Sequence, residues 1–322
     1  MKDVQNRINE LIQENQDFAI FSHMRPDGDS IGSSIALDLL LKKLGKNSKV
    51  FFRDEVPEVY SFLPETKNIY DLDDFEARDF DVLFVLDISE ISRIGLEESD
   101  LRGKKIVCID HHHTNSGFAR HNLIDSEKAA TALILCEFFR EHYLEHIDIN
   151  IALCLLTGII TDTGAFRYQN TKSDVFDAVS HLIATGVNYP QLMEKLYGSF
   201  PARKFELIKK AFSRSQKVDN AMYSYITIED FEETNCFQED TDGIVNQFTI
   251  YKEIDIAFVL MEISKEQQKV SIRSKKTDIS EVAVRFGGGG HKNAAGFNVK
   301  GNTLDNIKKI LNVIKEINLN GR

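Results

Sequence analysis

The sequence has few cysteines, and their spacing argues against motifs that are built from paired thiols. Only four cysteines occur among 322 residues, and no CxxC pair is present. A zinc ribbon or a thioredoxin-like motif is therefore not expected. Each cysteine lies in or beside an apolar run, where buried free thiols are common. The amino terminus is charged and helical rather than an apolar signal segment, so we expect a protein of the reducing cytoplasm.

Long hydrophobic runs and an excess of positive charge are also missing. The longest apolar stretches, such as IALCLLTGII, have about half of the ~20 residues that a membrane span requires, so no membrane contact is expected. Thirty-nine basic residues stand against 50 acidic ones, for a net charge of −11. This balance argues against a protein that coats nucleic acid by bulk electrostatics, but it is compatible with a local basic pocket.

What is present is the pattern of a globular protein with two domains. Hydrophobic residues make up 42% of the chain and charged residues 28%, which is typical of a folded protein. Strands alternate with helices at 1–190, so we expect an α/β domain there, a parallel sheet with helices on both faces. The apolar runs DVLFVLD and KKIVCID predict two of its buried strands. A helical connector is predicted at 191–215 and a smaller α+β domain at 216–322.

Four segments of the first predicted domain carry acidic or imidazole side chains where an apolar element ends. They are His23-x3-Asp27-x-Asp29, Asp87 after VLFVLD, Asp110-His111-His112-His113 after KIVCID, and Asp162 after ALCLLTGII. The carboxyl ends of parallel strands are where ligands bind in such sheets. Unpaired carboxylates in one cleft repel each other, so bound dications would explain the cluster.

The donor types predict which ion binds and what it does. Carboxylate oxygen combined with imidazole nitrogen favours Mn²⁺ or a similar ion. Two such ions about 3.5–4 Å apart can generate hydroxide from water and stabilise an in-line phosphoryl displacement. The residues therefore predict a metal-dependent phosphoryl chemistry.

The motifs also resemble those of a known family. HMRPDGDSIGS, VLD, IDHHHTN and GIITDTGAF resemble, in order and spacing, the motifs of the DHH phosphoesterase superfamily, and GGGGHKNAAG resembles that of the associated DHHA1 domain. The resemblance covers nearly the whole chain. The two-domain length looks most like the small oligoribonuclease (nanoRNase) and 3′-phosphoadenosine-5′-phosphate (pAp) phosphatase branch.

The resemblance implies two groups of metal ligands that share Asp87. The first group comprises His23, Asp27 and Asp87, and the second comprises Asp29, Asp87, His111 and Asp162. Two Mn²⁺ ions are the implied cofactors, with Mg²⁺ or Co²⁺ as substitutes. The implied catalytic residues are His112, which would face the scissile phosphate, and Asp110, which would orient the histidines from behind the ligands or act as a weaker ligand itself. The third histidine, His113, has no implied role.

The glycine-rich segment near the carboxyl end predicts contacts with the nucleotide. Consecutive glycines let backbone N–H groups approach an anion, and charged neighbours add hydrogen bonds. The candidate substrate-binding residues are Arg273, Arg285, Gly288, Gly289, Gly290, His291 and Lys292, with Asn246 as a weaker candidate. We expect a metal cleft between the two domains, which would select short substrates.

Simpler structural roles compete with some of these assignments. Ser30 is expected to cap the helix that follows it, and Asp27 and Asp29 are alternative caps of the same helix. Arg273 is about equally well explained as an exposed strand residue. The GGGG run has a flexible hinge as its alternative interpretation.

The predicted function is that of a cytoplasmic, manganese-dependent hydrolase. It would cut short single-stranded RNA or DNA oligonucleotides to mononucleotides, remove the 3′-phosphate of pAp, or both. The oligomeric state is left open, with a homodimer as one arrangement. Three alternatives remain: a phosphodiesterase for linear dinucleotides such as pApA from cyclic-di-AMP turnover, an inorganic pyrophosphatase or polyphosphatase, and a non-catalytic nucleotide-binding protein.

Overall fold

Two sheets organise the chain, one in each half. The computed structural model describes residues 1–96, 101, 103–198 and 200–320, without the side chains of 291 and 318–320. It divides into a first unit, Met1–Ser199, and a second unit, Phe200–Arg322. Each unit has its own sheet and its own buried clusters. No helix within the described ranges combines the length and the apolar character needed to cross a membrane.

The apolar runs of the first unit become a six-stranded sheet. Its strands are β1 (Asp17–Phe21), β2 (Asn47–Phe52), β3 (Tyr70–Asp71), β4 (Val82–Leu86), β5 (Lys105–Asp110) and β6 (His121–Ile124). They run parallel in the order β3-β2-β1-β4-β5-β6. The order reverses between β1 and β4, and this is the position at which parallel sheets bind ligands.

The α-helices of the first unit share one face of that sheet. They are α1 (Lys2–Glu14), α2 (Gly28–Lys43), α3 (Thr131–His142), α4 (Ile149–Asp162), α5 (Ser173–Ile183) and α6 (Tyr189–Met193). Their buried side chains form one cluster with Phe18, Ile20 and Phe84 of the sheet. Because the α-helices are amphipathic or wholly apolar, they can cover this face completely.

The opposite face corrects the prediction of helices on both sides. There, the described segments that cover the sheet are short 3₁₀ turns and loops, which contribute Leu72, Phe75, Phe80 and Ile94. The segment at 71–81 is acidic and breaks into single 3₁₀ turns, so it forms no α-helix. Apolar residues on these turns bury the sheet without a regular helix.

Helices α2 and α4 pack closely because glycines lie at their contact. A Cβ built on Gly32 would lie 2.4 Å from the carbonyl oxygen of Cys154. The same helix carries Ser33 and Ser34, which are also small and fully buried. Small side chains at these positions allow the two backbones to approach, and this packing places the amino end of α2 beside the carboxyl end of α4.

The second unit is a mixed sheet between two layers of helices. Its strands are β7 (Gln216–Val218), β8 (Ala221–Ile226), β9 (Ile256–Ser264), β10 (Gln267–Ser274), β11 (Gly289–His291) and β12 (Ala294–Lys300). The order is β11-β12-β10-β9-β8-β7, with only β8 and β9 parallel. The helices are α7 (Ala202–Ser213), α8 (Ile228–Thr234), α9 (Ile244–Thr249), α10 (Ser280–Arg285) and α11 (Thr303–Asn320). Helices α10 and α11 cover one face, and α7 and α9 cover the other.

We predict that Gly32→Ala destabilises the first unit by about 1–3 kcal/mol, because the added methyl group forces α2 and α4 apart. Urea unfolding of the whole chain measures this loss. The matched variant is Ser34→Ala on the same helix, where the buried hydroxyl has no hydrogen-bond partner within the described ranges. Removing that hydroxyl should leave stability unchanged or raise it. Equal losses in the two variants would contradict the close packing at Gly32.

Candidate metal centre

Side chains from five elements meet at the reversal of strand order. His23 follows β1, Asp87 follows β4 and His111 follows β5, while Asp29 lies in the first turn of α2 and Asp162 in the last turn of α4. The side chains form three overlapping groups, and within each group the ligand atoms lie within 4.8 Å of one another. The groups are His23, Asp27 and Asp87; Asp29, His111 and Asp162; and Asp87, His111 and His112. All six residues predicted as metal ligands are therefore brought together.

Asp87 lies at the middle of this cluster. One carboxylate oxygen, Oδ2, is 3.5 Å from His23 Nε2, and the other, Oδ1, is 3.5 Å from His111 Nε2. The Asp87 backbone has φ 59°, in the left-handed region that an aspartate adopts only occasionally. This conformation turns the chain at the end of β4 and aims the buried carboxylate at both histidines.

Asp27 has two roles at once. Its Oδ1 accepts hydrogen bonds from the backbone N–H groups of Asp29 (3.1 Å) and Ser30 (3.0 Å), so it caps α2. Its Oδ2 lies 3.7 Å from His23 Nε2. Ser30 was expected to be the cap, but it occupies the third helical position, and its hydroxyl accepts the N–H of Asp27 at 2.8 Å. The helix cap and the candidate ligand are therefore the same residue, which the cap interpretation alone does not require.

Asp29 is fully buried and is held by the start of α3. Its two oxygens accept the backbone N–H groups of Thr131 (2.6 Å) and Ala132 (2.9 Å). The amino end of a helix stabilises an anion, which helps to retain a carboxylate in this position. The hydroxyl of Thr131 also donates to Asp87 Oδ1 at 3.1 Å. Thr131 thus positions two candidate ligands, although it belongs to none of the sequence motifs.

The charges of the cluster do not balance. Burial opposes the charged form of His23, yet Asp27 and Asp87 raise its pKa to about 11. Burial alone would raise the pKa of Asp87, but hydrogen bonds from His111 and His23 bring it well below its usual range. For Asp29, burial and the carboxylates of Asp87 and Asp162 raise the pKa well above its usual range.

Asp162 shows the same excess of negative charge. Burial raises its pKa even though His111 Nε2 lies 3.2 Å from its Oδ2. The two histidines therefore do not offset the four carboxylates, and the remaining negative charge fits bound cations. Oxygen and imidazole donors are the ligands that Mn²⁺ and related ions use.

A second set of contacts orients His112. Its Nδ1 lies 2.7 Å from Asp110 Oδ1, and the other oxygen of this fully buried carboxylate accepts the side-chain amide of Asn115 at 2.7 Å. Asn115 also donates to the carbonyl oxygen of Ile88 at 2.9 Å. Asp110 therefore fixes the ring of His112, and Asn115 fixes Asp110. His113 is exposed.

The candidate substrate residues of the second unit lie around one hairpin. Lys292 and Asn293 form its turn between β11 and β12, and Lys292 is exposed. Arg273 is at the end of β10, where it pairs with the first residue of β12. Its buried Nε has no hydrogen-bond partner within the part of the chain that the structure describes. Asn246 lies in α9. The side chain of His291 lies outside the described residues.

Arg285 and Gly288, which lie before the hairpin, have hydrogen-bond partners within the chain. Arg285 contacts Glu316 at 2.7 Å and Glu281 at 2.9 Å, so its guanidinium joins α10 to α11. The N–H of Gly288 donates to the carbonyl oxygen of Ala283 at 2.9 Å.

The glycines of the GGGG run differ in whether the structure requires a glycine at their position. A Cβ on Gly288 would lie 2.3 Å from the carbonyl oxygen of Gly296, and one on Gly290 would lie 2.5 Å from that of Ala294. These two glycines allow close approach to β12, whereas a Cβ on Gly289 would meet nothing within 4 Å. The run is thus part of a sheet, and the hinge interpretation does not apply to it.

An open parallel sheet with this carboxylate and imidazole cluster at the reversal of its strand order defines a candidate metal-binding α/β protein. The DHH family, N-terminal domain, matches residues 17–159, and the DHHA1 domain matches residues 219–318. Together with a relative that is 32% identical over 92% of the chain, these matches show that the chain belongs to the DHH family.

Several relatives and solved structures are similar over most of their length. A Thermus thermophilus protein named bifunctional oligoribonuclease and PAP phosphatase NrnA is 32% identical over 92% of this chain and 89% of its own. A Bacillus subtilis protein of the same name is 24% identical over 86% and 87%. An exopolyphosphatase-related protein from Bacteroides fragilis superposes with a TM-score of 0.91 at 24% identity, covering 98% and 96%.

RecJ from Thermus thermophilus, solved in complex with Mn²⁺, gives a TM-score of 0.51 at 14% identity, covering 92% of this chain and 51% of RecJ. At these identities the two solved structures show the fold alone. They confirm the predicted α/β architecture.

We predict that Gly158→Ala weakens binding of Mn²⁺ by about 10- to 100-fold, as changes to ligand-supporting residues do. The added methyl group would lie 2.6 Å from Asp29 Oδ1 and 2.7 Å from Ala132 Cβ, so it displaces a ligand from its donors. Calorimetric titration of the metal-free protein with Mn²⁺ measures the change. Gly198→Ala is the control, because a Cβ there meets only ordinary contacts at 3.5 Å. Unchanged affinity in Gly158→Ala would show that Asp29 does not hold the ion.

Proposed function

We propose that this protein is a phosphoesterase that hydrolyses short oligonucleotides to mononucleotides and removes the 3′-phosphate of pAp. The observation that carries the proposal is the convergence of six candidate ligands, Asp87 among them, in overlapping groups at one edge of the sheet. The relatives named oligoribonuclease and PAP phosphatase NrnA support the substrate class, since one of them aligns over 92% of the chain. The family membership supports hydrolysis as the reaction.

We propose two Mn²⁺ ions as the cofactor, with Mg²⁺ or Co²⁺ as substitutes. His23, Asp27 and Asp87 would hold one ion, and Asp29, Asp87, His111 and Asp162 would hold the other. A bound pair of such ions lowers the pKa of water and polarises phosphoryl oxygens. The excess negative charge of the cluster supports this assignment, since burial and neighbouring carboxylates raise the pKa of Asp29.

The histidine beside the cluster has the proton-transfer role. Water adds to phosphorus, the bond from phosphorus to the leaving oxygen breaks, and that oxygen needs a proton. His112 can supply it, because its Nδ1 contact with Asp110 turns the Nε2 edge of the ring away from that carboxylate. Burial lowers the pKa of His112, but the hydrogen bond with Asp110 raises it and favours the protonated ring.

We propose that the second unit binds the nucleotide part of the substrate. Exposed Lys292 on the hairpin turn and Arg273 at the end of β10 are its candidate cations. Gly289 and Gly290 would bring the backbone close to a phosphate, together with His291. The contacts of Arg285 with two glutamates favour a structural role for it over substrate binding.

A substrate panel tests the function. Purified protein with Mn²⁺ should release AMP from pAp and mononucleotides from RNA of two to five residues, and chelation of the metal should stop both reactions. Linear pApA and pyrophosphate complete the panel and represent the two alternative enzymes. Turnover of pyrophosphate alone would contradict the proposal, and binding of nucleotide without turnover would support a non-catalytic role.

Asp87→Asn separates metal-dependent turnover from contamination in that panel. Asparagine keeps the size and tolerates the left-handed backbone at this position, but it removes the shared anionic ligand. Turnover should fall by more than about 100-fold, while the melting temperature of the metal-free protein stays close to that of the wild type. The exposed Asp177→Asn variant is the control. Full activity in Asp87→Asn would contradict the ligand assignment.

We predict that Asn115→Ala lowers kcat for natural phosphodiesters by about 10-fold or more, with little change in KM. The variant removes the amide that holds Asp110, so His112 is no longer fixed as a proton donor. Bis(p-nitrophenyl) phosphate has a leaving group that needs no proton, so its hydrolysis should fall much less. Comparison of the two substrates gives the measurement. Equal losses for both would mean that Asn115 only maintains the fold.

A further inference from the structure

The chain makes an unusual turn immediately beyond Asp162. Three consecutive residues have left-handed backbone conformations: Gly164 (φ 56°), Ala165 (φ 57°) and Phe166 (φ 66°). Glycine adopts this region freely, but alanine and phenylalanine do so only at an energetic cost. Strained backbone of this kind persists where the surroundings enforce it, and it often accompanies a functional site.

Hydrogen bonds from the end of α4 enforce the turn. The N–H of Gly164 donates to the carbonyl oxygen of Thr161 (3.0 Å), and the N–H of Ala165 donates to the carbonyl oxygen of Ile160 (2.8 Å). This pair of hydrogen bonds is the Schellman motif of a helix end. The hydroxyl of Thr163 accepts the N–H of Phe166 at 3.2 Å. The turn is therefore a fixed feature of the helix end that supplies Asp162.

The turn presents Arg167 in a fixed direction. The side-chain Nε donates to the carbonyl oxygen of Gly164 at 2.7 Å, which holds the guanidinium group over the turn. Arg167 is exposed, and within the described residues it has no carboxylate partner, in contrast to Arg285 with its two glutamates. An arginine anchored through Nε keeps its two Nη groups for hydrogen bonds to two oxygens of an anion such as phosphate.

Other contacts place Arg167 beside the candidate metal centre. Tyr168 packs over the turn, because a Cβ on Gly164 would lie 2.4 Å from its Cζ. The backbone N–H of Arg167 donates to the carbonyl oxygen of Thr163 at 2.9 Å, and the side-chain amide of Asn170 donates to that of Asp162 at 3.0 Å. The segment that carries Arg167 is therefore hydrogen-bonded directly to the end of α4 that supplies Asp162.

We propose that Arg167 binds a phosphate group of the substrate other than the one that is cut. The proposal rests on the proposed function, since it needs a substrate with two phosphates. Exposure distinguishes the two sites: the side chains of Asp87 and Asp162 are only 3% and 21% exposed, whereas Arg167 lies at the surface. If the scissile phosphate lies at the buried ligands, the exposed Arg167 is placed to contact the next phosphate of the same nucleotide.

Matched substrates test this assignment. In pAp and pApA a second phosphate accompanies the scissile one, and 3′-AMP and ApA lack it. For Arg167→Gln, kcat/KM for pAp and pApA should fall about 10-fold or more, mainly through KM, because a charge-assisted contact is lost. The values for 3′-AMP and ApA should stay close to those of the wild type. Arg140→Gln, an exposed arginine on α3, is the control and should change none of them.

Each other outcome has a definite meaning. Equal losses with all four substrates would place Arg167 at the scissile phosphate and overturn the proposal, and no loss with any of them would also overturn it. If the wild type hydrolyses none of the four, the proposed function fails. Calorimetric measurement of binding then tests the role of Arg167, since Arg167→Gln should weaken the affinity for pAp more than the affinity for 3′-AMP. Equal weakening would end the proposal.

Discussion

The first unit depends on holding four carboxylates together at the end of a parallel sheet. Like charges in a buried site repel each other, and their desolvation adds to the cost. The chain offsets part of this cost with fixed donors, namely the first N–H groups of α2 on Asp27 and those of α3 on Asp29. The offset is incomplete, because burial and the neighbouring carboxylates still raise the pKa of Asp29. Cation binding and the local stability of this region are therefore coupled.

Close packing of helices follows from the same constraint. Asp29 and Asp162 belong to different helices, and both must lie near His111, whose Nε2 is 4.0 Å and 3.2 Å from their oxygens. Helices α2 and α4 can bring them there only if their backbones nearly touch, which Gly158 and Gly32 permit. Residues that fill the core therefore also set the ligand geometry. A shift of either helix would therefore change the distances within the cluster.

The parts of the structure that the sequence predicts have local signals. Continuous apolar runs identified β4 and β5, and the convergence of their end residues follows from parallel pairing. Helix α3 begins only at Thr131, because the residues before it make a turn in which the N–H of Lys128 donates to the carbonyl oxygen of Asp125. The donors of Asp29 are about a hundred residues away in sequence, so no local pattern could reveal them. Asn115, by contrast, is only five residues from Asp110. A polar residue so close to the motif could have been predicted to contact it.

Backbone conformation decides where the groups of this site point. A strand or helix that simply continued would carry its next side chains away from the sheet edge. At Asp87 and again at Gly164–Phe166 the chain instead adopts left-handed conformations directly after a regular element. Both reversals are secured by backbone hydrogen bonds, from Asp87 to the carbonyl of Ile109 and from Ala165 to that of Ile160. The left-handed conformations are therefore held by the scaffold itself, through hydrogen bonds to neighbouring elements.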